Sequence, residues 1–255
     1  MDFKIREERG FKYVEEGEGD VLLLLHGLFG ALSNFKDLVS SFSDKYKVVL
    51  PLLPIFDLPL TKATLKGLKK HIQDFVAFKG YESVSVLGNS LGGHLTLMYA
   101  LDNVSQVRSI ILTGSSGLYE KSLGDTFPKR GNYEFIKERT AYTFYDPKMA
   151  TQELVDEVFE IVNNRNKAIR VISVAKSAIR NNLADHLQEL TMPALLIWGK
   201  DDRITPPFVG EQFEKLLPDA ELHLLDQCGH APMMERPAVF NDLLGKFLSR
   251  VYQKV

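Results

Sequence analysis

The chain has 255 residues, of which 45% are hydrophobic and 25% are charged, and its formal net charge is −2. This length allows a buried core in one large domain or two small ones. A nearly neutral chain without long runs of like charge gives no indication of a nucleic-acid partner or an anionic membrane. The single cysteine, Cys228, excludes an intramolecular disulfide, which favours a reducing, cytoplasmic compartment.

The first 25 residues give no indication of a targeting or membrane segment. The opening "MDFKIREERG" alternates charged and single apolar residues and lacks the apolar core of a signal peptide. The run "VLLLL" at residues 21–25 is too short to cross a bilayer. We therefore predict a buried strand here and no membrane span.

The first half of the chain alternates strand-like and helix-like segments. "VLLLLHG" is followed by the helical "ALSNFKDLVSSFS", then by the strand-like "YKVVLPLLP", and then by a helical stretch over residues 61–79. In that stretch one apolar side recurs at helical spacing: Leu65, Leu68, Ile72, Phe75 and Val76. The alternation predicts an α/β fold with a mostly parallel sheet covered by helices on both faces.

The alternation stops after residue 117 and resumes near residue 191. Between these points the apolar residues follow helical spacing, and no strand-like run is present. The later segment contains "PALLIWGKDD", a helix near residues 209–217, "AELHLLDQCGH" and a C-terminal amphipathic helix. We predict a core domain made of residues 1–117 and 191–255, with residues 118–190 inserted as a helical cap that packs on the sheet as a lid.

The segment "VSVLGNSLGGHLTLMYA" at residues 84–100 contains a candidate nucleophile. Gly88, Ser90 and Gly92 fit the G-x-S-x-G pattern between a strand and a helix, where glycines permit a tight turn that exposes the serine. The alternative is a serine that only caps the helix, with glycines for packing. A catalytic serine also needs a base and an acid that orients the base.

One of the six histidines has the position expected of a movable base. His230 in "DQCGHAPMMERP" follows the last predicted strand on a glycine-flanked loop. The remaining histidines are interpreted as structural: His26, His71, His94, His186 and His223.

The candidate acid should follow another strand that ends at the same edge of the sheet. "LLIWGKDDRITPP" places Asp201 and Asp202 there. Of the two we prefer Asp202, and Asp201 is the alternative. The chain order Ser, Asp, His is then that of the G-x-S-x-G hydrolases.

Four motifs in order, "HGLFG", "GNSLGG", "WGKDDRITPP" and "CGHAPMMERP", resemble those of the α/β-hydrolases over nearly the whole chain. The resemblance implies a triad of Ser90, Asp202 and His230, because the family pattern G-x-x-D-x-x-x-P fixes the acid as Asp202. It also implies an oxyanion hole from the backbone N–H groups of Leu28 and Leu91, with their side chains on the acyl side of the pocket.

The expected pocket also includes Phe29 and Asn89. We expect no cofactor, and no cluster of histidines and carboxylates in the sequence suggests a metal. Cys228 is interpreted as a small buried apolar residue without a chemical role.

Within this superfamily the chain looks most like the carboxylesterases and the meta-cleavage-product hydrolases, which cut carbon–carbon bonds. Asn89 suits the second group. "HGLFG" is closer to esterases and thioesterases, and Glu157 stands near the place of that group's lid arginine. We therefore expect a carboxylesterase of small apolar esters or thioesters.

Two other functions stay open, a carbon–carbon bond hydrolase and a small-molecule receptor with little turnover. The expected partner is a small ester-like substrate, and a monomer or a homodimer is equally possible.

The predicted cap is rich in aromatic residues and arginines. The aromatics could form an apolar channel or only hold the cap together; they are Tyr119, Phe127, Tyr133, Phe135, Tyr142, Phe144 and Tyr145. A carbon–carbon hydrolase needs a cation for its acidic dienoate, and the cap arginines that could supply it are Arg130, Arg139, Arg165, Arg170 and Arg180. Since none stands at the family's position, the sequence predicts faster turnover of p-nitrophenyl acetate or butyrate than of a dienoate.

Overall fold

The computed structural model describes residues 3–30, 32–120 and 131–253. Its centre is an eight-stranded sheet in the spatial order β1-β2-β4-β3-β5-β6-β7-β8. The strands are β1 (Arg6–Glu8), β2 (Phe11–Glu16), β3 (Val21–Leu25), β4 (Lys47–Pro51), β5 (Val84–Asn89), β6 (Val107–Thr113), β7 (Ala194–Gly199) and β8 (Ala220–Leu225). Strands β3 to β8 run parallel, and β1 and β2 are antiparallel to their neighbours.

Helices cover both faces of this sheet, as predicted. The α-helices in the described residues are α1 (Lys36–Phe42), α2 (Leu65–Lys79), α3 (Leu91–Asp102), α4 (Tyr133–Ala141), α5 (Gln152–Asn163), α6 (Arg165–Ile179), α7 (Pro207–Leu216), α8 (Pro232–Glu235) and α9 (Pro237–Gln253). Buried residues of α2, α3 and α7 form one apolar cluster with the sheet. Buried residues of α1 and α9 form a second cluster.

The central strands are continuous apolar runs because both of their faces are covered. Every residue of β3, β5 and β7 is buried. The N-terminal strands β1 and β2 are an addition to the predicted elements. All three residues of β1 are exposed and β2 is half polar, so these two strands lack the apolar pattern by which the others were found.

Helix α2 shows how well the periodicity indicates the buried side. Its predicted apolar residues are all buried. The Thr64 side chain accepts the Gly67 N–H at its start, and Gly80 ends it in the left-handed region with φ 67°. The predicted C-terminal amphipathic helix is α9, whose buried side is formed by Phe240, Leu244, Phe247, Leu248 and Val251.

Helices α4, α5 and α6 lie in the insertion, the segment between β6 and β7. In the described part of this segment there is no strand. Its two ends meet, since the Leu183 N–H donates to the Gly117 carbonyl at 2.9 Å. The division at residues 117 and 191 into core and cap stays a prediction. None of the described helices has the length and apolar character needed to cross a bilayer.

Candidate active site

Ser90 lies at the sharp turn between β5 and α3. Its φ of 56° and ψ of −119° are strained for a residue other than glycine. The turn packs tightly against the end of β3, where a Cβ on Gly92 would lie 1.9 Å from the Leu25 carbonyl oxygen. The strained backbone therefore presents the serine at the carboxyl edge of the parallel sheet.

Asp202 and His230 are brought together at the same edge. His230 Nδ1 and Asp202 Oδ2 are 2.9 Å apart, and both residues are buried. Asp202 also accepts the backbone N–H groups of Ile204 (2.8 Å) and Thr205 (2.9 Å) and the Thr205 hydroxyl (2.9 Å). In this arrangement the carboxylate accepts from Nδ1–H of the imidazole. His230 Nε2 is then free to accept a proton.

Asp201, the alternative acid, is half-buried, and in the described part of the chain no hydrogen bond joins its side chain to the histidine. Its backbone N–H donates to the Cys228 carbonyl at 2.9 Å. The Cys228 thiol itself is buried, and burial raises its pKa. The geometry at this loop thus favours Asp202 and gives the thiol no chemical role.

Gly114, directly after β6, makes room for the imidazole. Its φ is 51°, and a Cβ there would lie 2.8 Å from His230 Nδ1. Gly114 was not predicted from the sequence. The sequence signal for it is the run "TGSSG" directly after β6, where a glycine leaves room for the imidazole.

A cavity of about 430 Å³ opens at this edge, and Ser90 and His230 both lie on its wall. Leu28, Phe29 and Asn89 line it as well. Among the described residues, no hydrogen bond joins the Ser90 hydroxyl to His230. Catalytic hydrogen bonds are often long without substrate, so this does not argue against the pair.

The two N–H groups expected to form an oxyanion hole flank Ser90. A Cβ on Gly27 would lie 3.4 Å from Ser90 Cβ, so the loop that carries Leu28 lies against the serine. Within the described part of the chain, neither the Leu28 nor the Leu91 backbone N–H donates a hydrogen bond. One expectation is wrong: the Leu91 side chain does not line the cavity but is buried in the apolar cluster of the core.

Asn89 lies on the cavity wall but its amide has structural partners. Its Nδ2 donates to the carbonyl oxygens of Thr113 at 3.0 Å and His230 at 3.1 Å. The side chain thus links β5, β6 and the loop of the histidine.

Aromatic residues of the insertion divide between the cavity and packing. Tyr119, Tyr142 and Phe144 line the cavity. Tyr133 packs edge-on against Phe159 at 5.1 Å, and Phe135 and Tyr145 also lie off the wall. Phe127 lies outside the described residues.

Two arginines, Arg139 on α4 and Arg203 beside the acid, line the cavity. Their Cζ atoms lie 5.8 Å and 5.2 Å from the centroid of the Tyr142 ring. Neither pairs with a carboxylate in the described part of the chain. The described wall contains no Asp, Glu or Lys, so these two guanidinium groups are its permanently charged side chains.

The position of Arg139 could not be read from the sequence, and Arg203 was missed although it directly follows Asp202. Glu157 is exposed on α5 and lies off the wall. The other described cap arginines also lie off the wall: Arg165, Arg170 and Arg180. Arg130 lies outside the described residues.

His26 and His94 are buried and have structural partners. His26 Nε2 accepts the Leu53 N–H at 2.9 Å, and burial lowers its pKa. His94 Nε2 donates to the Asn181 carbonyl at 2.8 Å, and burial lowers its pKa to about 4. The described residues contain no cluster of three side chains suited to a metal ion.

A family model described as the alpha/beta hydrolase fold matches residues 20–237. The chain therefore belongs to the alpha/beta hydrolase fold family, and the class of enzyme is a hydrolase.

The most similar proteins include both named enzymes and solved structures. A Pseudomonas sp. relative named 2-hydroxy-6-oxononadienedioate/2-hydroxy-6-oxononatrienedioate hydrolase is 31% identical over 257 residues, covering 92% of this chain and 90% of the relative. A Comamonas testosteroni relative named 2-hydroxy-6-oxo-6-phenylhexa-2,4-dienoate hydrolase is 27% identical, with the same coverage of each chain.

Among solved structures, an alpha/beta hydrolase enzyme from the metagenome of Mar Chica lagoon sediments in Morocco is 40% identical. Its TM-score is 0.81, and the match covers 97% of this chain and 98% of the other. A meta-cleavage product hydrolase from Pseudomonas fluorescens IP01 has a TM-score of 0.82 at 22% identity, with 94% and 95% coverage, and this shows the fold alone.

Proposed function

We propose that this protein is a serine hydrolase that cleaves the carbon–carbon bond of a 2-hydroxy-6-oxo-dienoate, the alternative in the sequence analysis. The observation that carries this proposal is the cavity itself. It places the candidate nucleophile and base beside Arg139 and Arg203, with no acid on the described wall. Such a cavity suits a substrate that carries a carboxylate as well as a reactive carbonyl.

In the proposed reaction Ser90 Oγ attacks the carbonyl next to the scissile bond, and His230 takes the hydroxyl proton. The oxyanion accepts hydrogen bonds from the Leu28 and Leu91 N–H groups, each contributing about 2.7 to 4 kcal/mol. The substrate reacts in its 2-oxo-3-ene tautomer, in which the enol proton has moved to the carbon next to the carbonyl. When the carbon–carbon bond breaks, its electron pair is delocalised onto the 2-oxo oxygen as a dienolate, which takes the proton from His230. Water, deprotonated by the same base, then releases the acyl group from the serine.

Arg139 is the residue best placed to hold the substrate carboxylate. It is half-buried and has no acidic partner among the described residues, whereas Arg203 is exposed. An unpaired carboxylate in an apolar cavity would be costly, and a charge-assisted hydrogen bond to a guanidinium offsets that cost. Helix α4 and the adjoining residues of the insertion then act as a lid that carries the specificity.

The named relatives support this substrate class over an ester. Both are hydrolases of 2-hydroxy-6-oxo acids, and each match extends over 92% of this chain. Neither relative is named as an esterase. The comparisons therefore favour the carbon–carbon alternative over the carboxylesterase interpretation.

A carboxylesterase is the second candidate, and a specific observation favours it. Leu28 and Phe29 line the cavity beside Ser90, so a short apolar acyl group would fit next to the serine. The same Ser90 attack on an ester needs no cation.

One kinetic comparison separates the two candidates. The substrates are 2-hydroxy-6-oxo-6-phenylhexa-2,4-dienoate and p-nitrophenyl butyrate, assayed under the same conditions. We expect kcat/KM for the dienoate to be higher by more than about tenfold, equivalent to about 1.4 kcal/mol of transition-state binding. A higher kcat/KM for the ester would contradict the carbon–carbon proposal and would identify the protein as a carboxylesterase.

A further inference from the structure

Glu235, at the end of α8, holds the loop that carries the proposed base. Its Oε1 accepts the backbone N–H groups of Gly229 at 3.0 Å and Ala231 at 3.2 Å. These are the residues on either side of His230. Since Glu235 Oε2 also lies 3.0 Å from the Gly229 nitrogen, one carboxylate fixes both peptide units next to the imidazole.

The same carboxylate also binds the insertion. Glu235 Oε2 accepts the Tyr145 N–H at 2.7 Å. In the reverse direction, the His230 N–H donates to the Thr143 carbonyl at 2.9 Å. Residues 143–145 therefore lie directly on the histidine loop.

Close packing confirms how near these two segments are. A Cβ on Gly229 would lie 2.7 Å from the Thr143 carbonyl oxygen and 2.8 Å from the Tyr145 nitrogen. Thr143 and its neighbours Tyr142 and Phe144 line the cavity. The insertion side of the cavity wall is therefore in direct backbone contact with the loop that carries the base.

We propose that Glu235 is a positioning residue that holds His230 in place and seats residues 142–145 of the insertion on the histidine loop. It acts through backbone N–H groups and does not touch the substrate. The inference rests on the proposed function, because it takes His230 as the base. Its consequence is that substrate contacts with this wall and the position of the base are coupled.

Two substitutions separate the two tasks of the carboxylate. In Glu235→Gln the amide oxygen in the place of Oε1 still accepts from Gly229 and Ala231, while the amide nitrogen in the place of Oε2 cannot accept. The Tyr145 N–H then loses its acceptor, and the Gly229 N–H keeps one of its two. In Glu235→Ala all three N–H groups lose their acceptor. Glu214→Gln, at an exposed position on α7, is the matched control.

We expect Glu235→Gln to raise KM for the dienoate about five- to tenfold while kcat for p-nitrophenyl acetate, which is too short to need the insertion, stays within about twofold. We expect Glu235→Ala to lower kcat for both substrates about 100-fold, the effect of misplacing a catalytic group by about 1 Å. It should also slow the labelling of Ser90 by a fluorophosphonate. Glu214→Gln should match the wild type in each assay.

The outcomes distinguish this inference from the proposed function. If His230→Ala abolishes turnover while both Glu235 variants retain wild-type kcat and KM, the positioning role is wrong and the base is correct. If His230→Ala retains wild-type turnover, the proposed function fails first. The inference would also be overturned if both Glu235 variants lost the same fraction of kcat/KM for both substrates and that fraction matched the loss of folded protein. Glu235 would then have only a structural role.

Discussion

The two walls of the cavity are built in different ways. The core wall comes from short motifs at strand ends, where backbone geometry fixes each residue: the Ser90 turn, the Asp202 loop and the His230 loop. The insertion wall comes from side chains on and after α4 and on α5, whose direction depends on how the helices pack. The core wall contains the groups suited to breaking a bond, and the insertion wall contains Arg139, the group suited to choosing a substrate.

This difference between the walls predicts which kinetic constant each substitution should change. A change in the core wall should lower kcat for every substrate, because every substrate needs the nucleophile and base. A change in the insertion wall should alter KM for acidic substrates and leave small neutral esters nearly unaffected.

The largest effect is expected for Ser90→Ala. Loss of the nucleophile should lower kcat by about three to six orders of magnitude for the dienoate and for esters alike. The substitution keeps Cβ and the backbone turn, so the thermal midpoint of unfolding should change little. Steady-state kinetics and a thermal melt measure the two quantities, and unaltered hydrolysis would exclude Ser90 as the nucleophile.

The next largest loss of activity is expected from substitution of one of the two adjacent aspartates. Asp202→Asn should lower kcat by about four orders of magnitude, because the amide holds His230 in the wrong tautomer. Asp201→Asn is the matched control and should cost less than about tenfold, since Asp202 and not Asp201 is the hydrogen-bond partner of the imidazole. Similar losses in the two variants would show that the acid has been misassigned.

A smaller effect is expected on the insertion wall. Arg139→Gln should raise KM for the dienoate about 10- to 100-fold, the loss of a charge-assisted hydrogen bond of about 1.5 to 3 kcal/mol. KM for p-nitrophenyl butyrate should stay within about twofold. Arg165→Gln, an exposed arginine on α6, provides the control. If KM for the dienoate is unchanged in Arg139→Gln, a group other than Arg139 binds the carboxylate of the substrate.

The smallest effect concerns stability. The pKa of His94 lies at about 4 in the folded protein, against an ordinary value of 6.5. Between these values the unfolded chain binds a proton that the folded chain does not. The free energy of unfolding should therefore fall as pH drops from about 6.5 towards 4, by at most about 1.4 kcal/mol per pH unit from this group.

His94→Gln should show a flatter acid slope in urea titrations between pH 7 and 5, whereas the exposed His186→Gln should keep the wild-type slope. His26 and His71, whose pKa values burial also lowers, are present in all three proteins and cancel in the comparison. A wild-type slope in His94→Gln would contradict this account of the histidine.

The same division between the walls explains what could be predicted from the sequence. The parallel sheet, the helices on its faces and the helical insertion follow from hydrophobic periodicity, which is strong where segments are buried on one or both sides. The more polar N-terminal strands β1 and β2 lack that signal. The positions of Ser90, Asp202 and His230 could be anticipated because each stands in a short motif at a strand end.

The insertion wall could not be anticipated in the same way. Arg139, Arg165, Arg170 and Arg180 are equivalent in the sequence, and only helix packing decides that Arg139 reaches the cavity. Glu235 was missed because its partners are backbone groups, which leave no trace in a residue pattern. The preference for an ester depended on the absence of a placed arginine, and the position of Arg139 removes that reason.

We propose above all that Ser90, activated by His230, is the nucleophile of an enzyme that turns over its substrate. The most direct measurement is peptide mapping by mass spectrometry after treatment with a fluorophosphonate, with dienoate turnover measured as labelling proceeds. We expect one equivalent of probe on Ser90, turnover lost in proportion to labelling, and no labelling of His230→Ala. Probe on another residue would contradict the account, and so would full labelling of Ser90 in a protein that hydrolyses neither the dienoate nor an ester, which would instead identify a receptor.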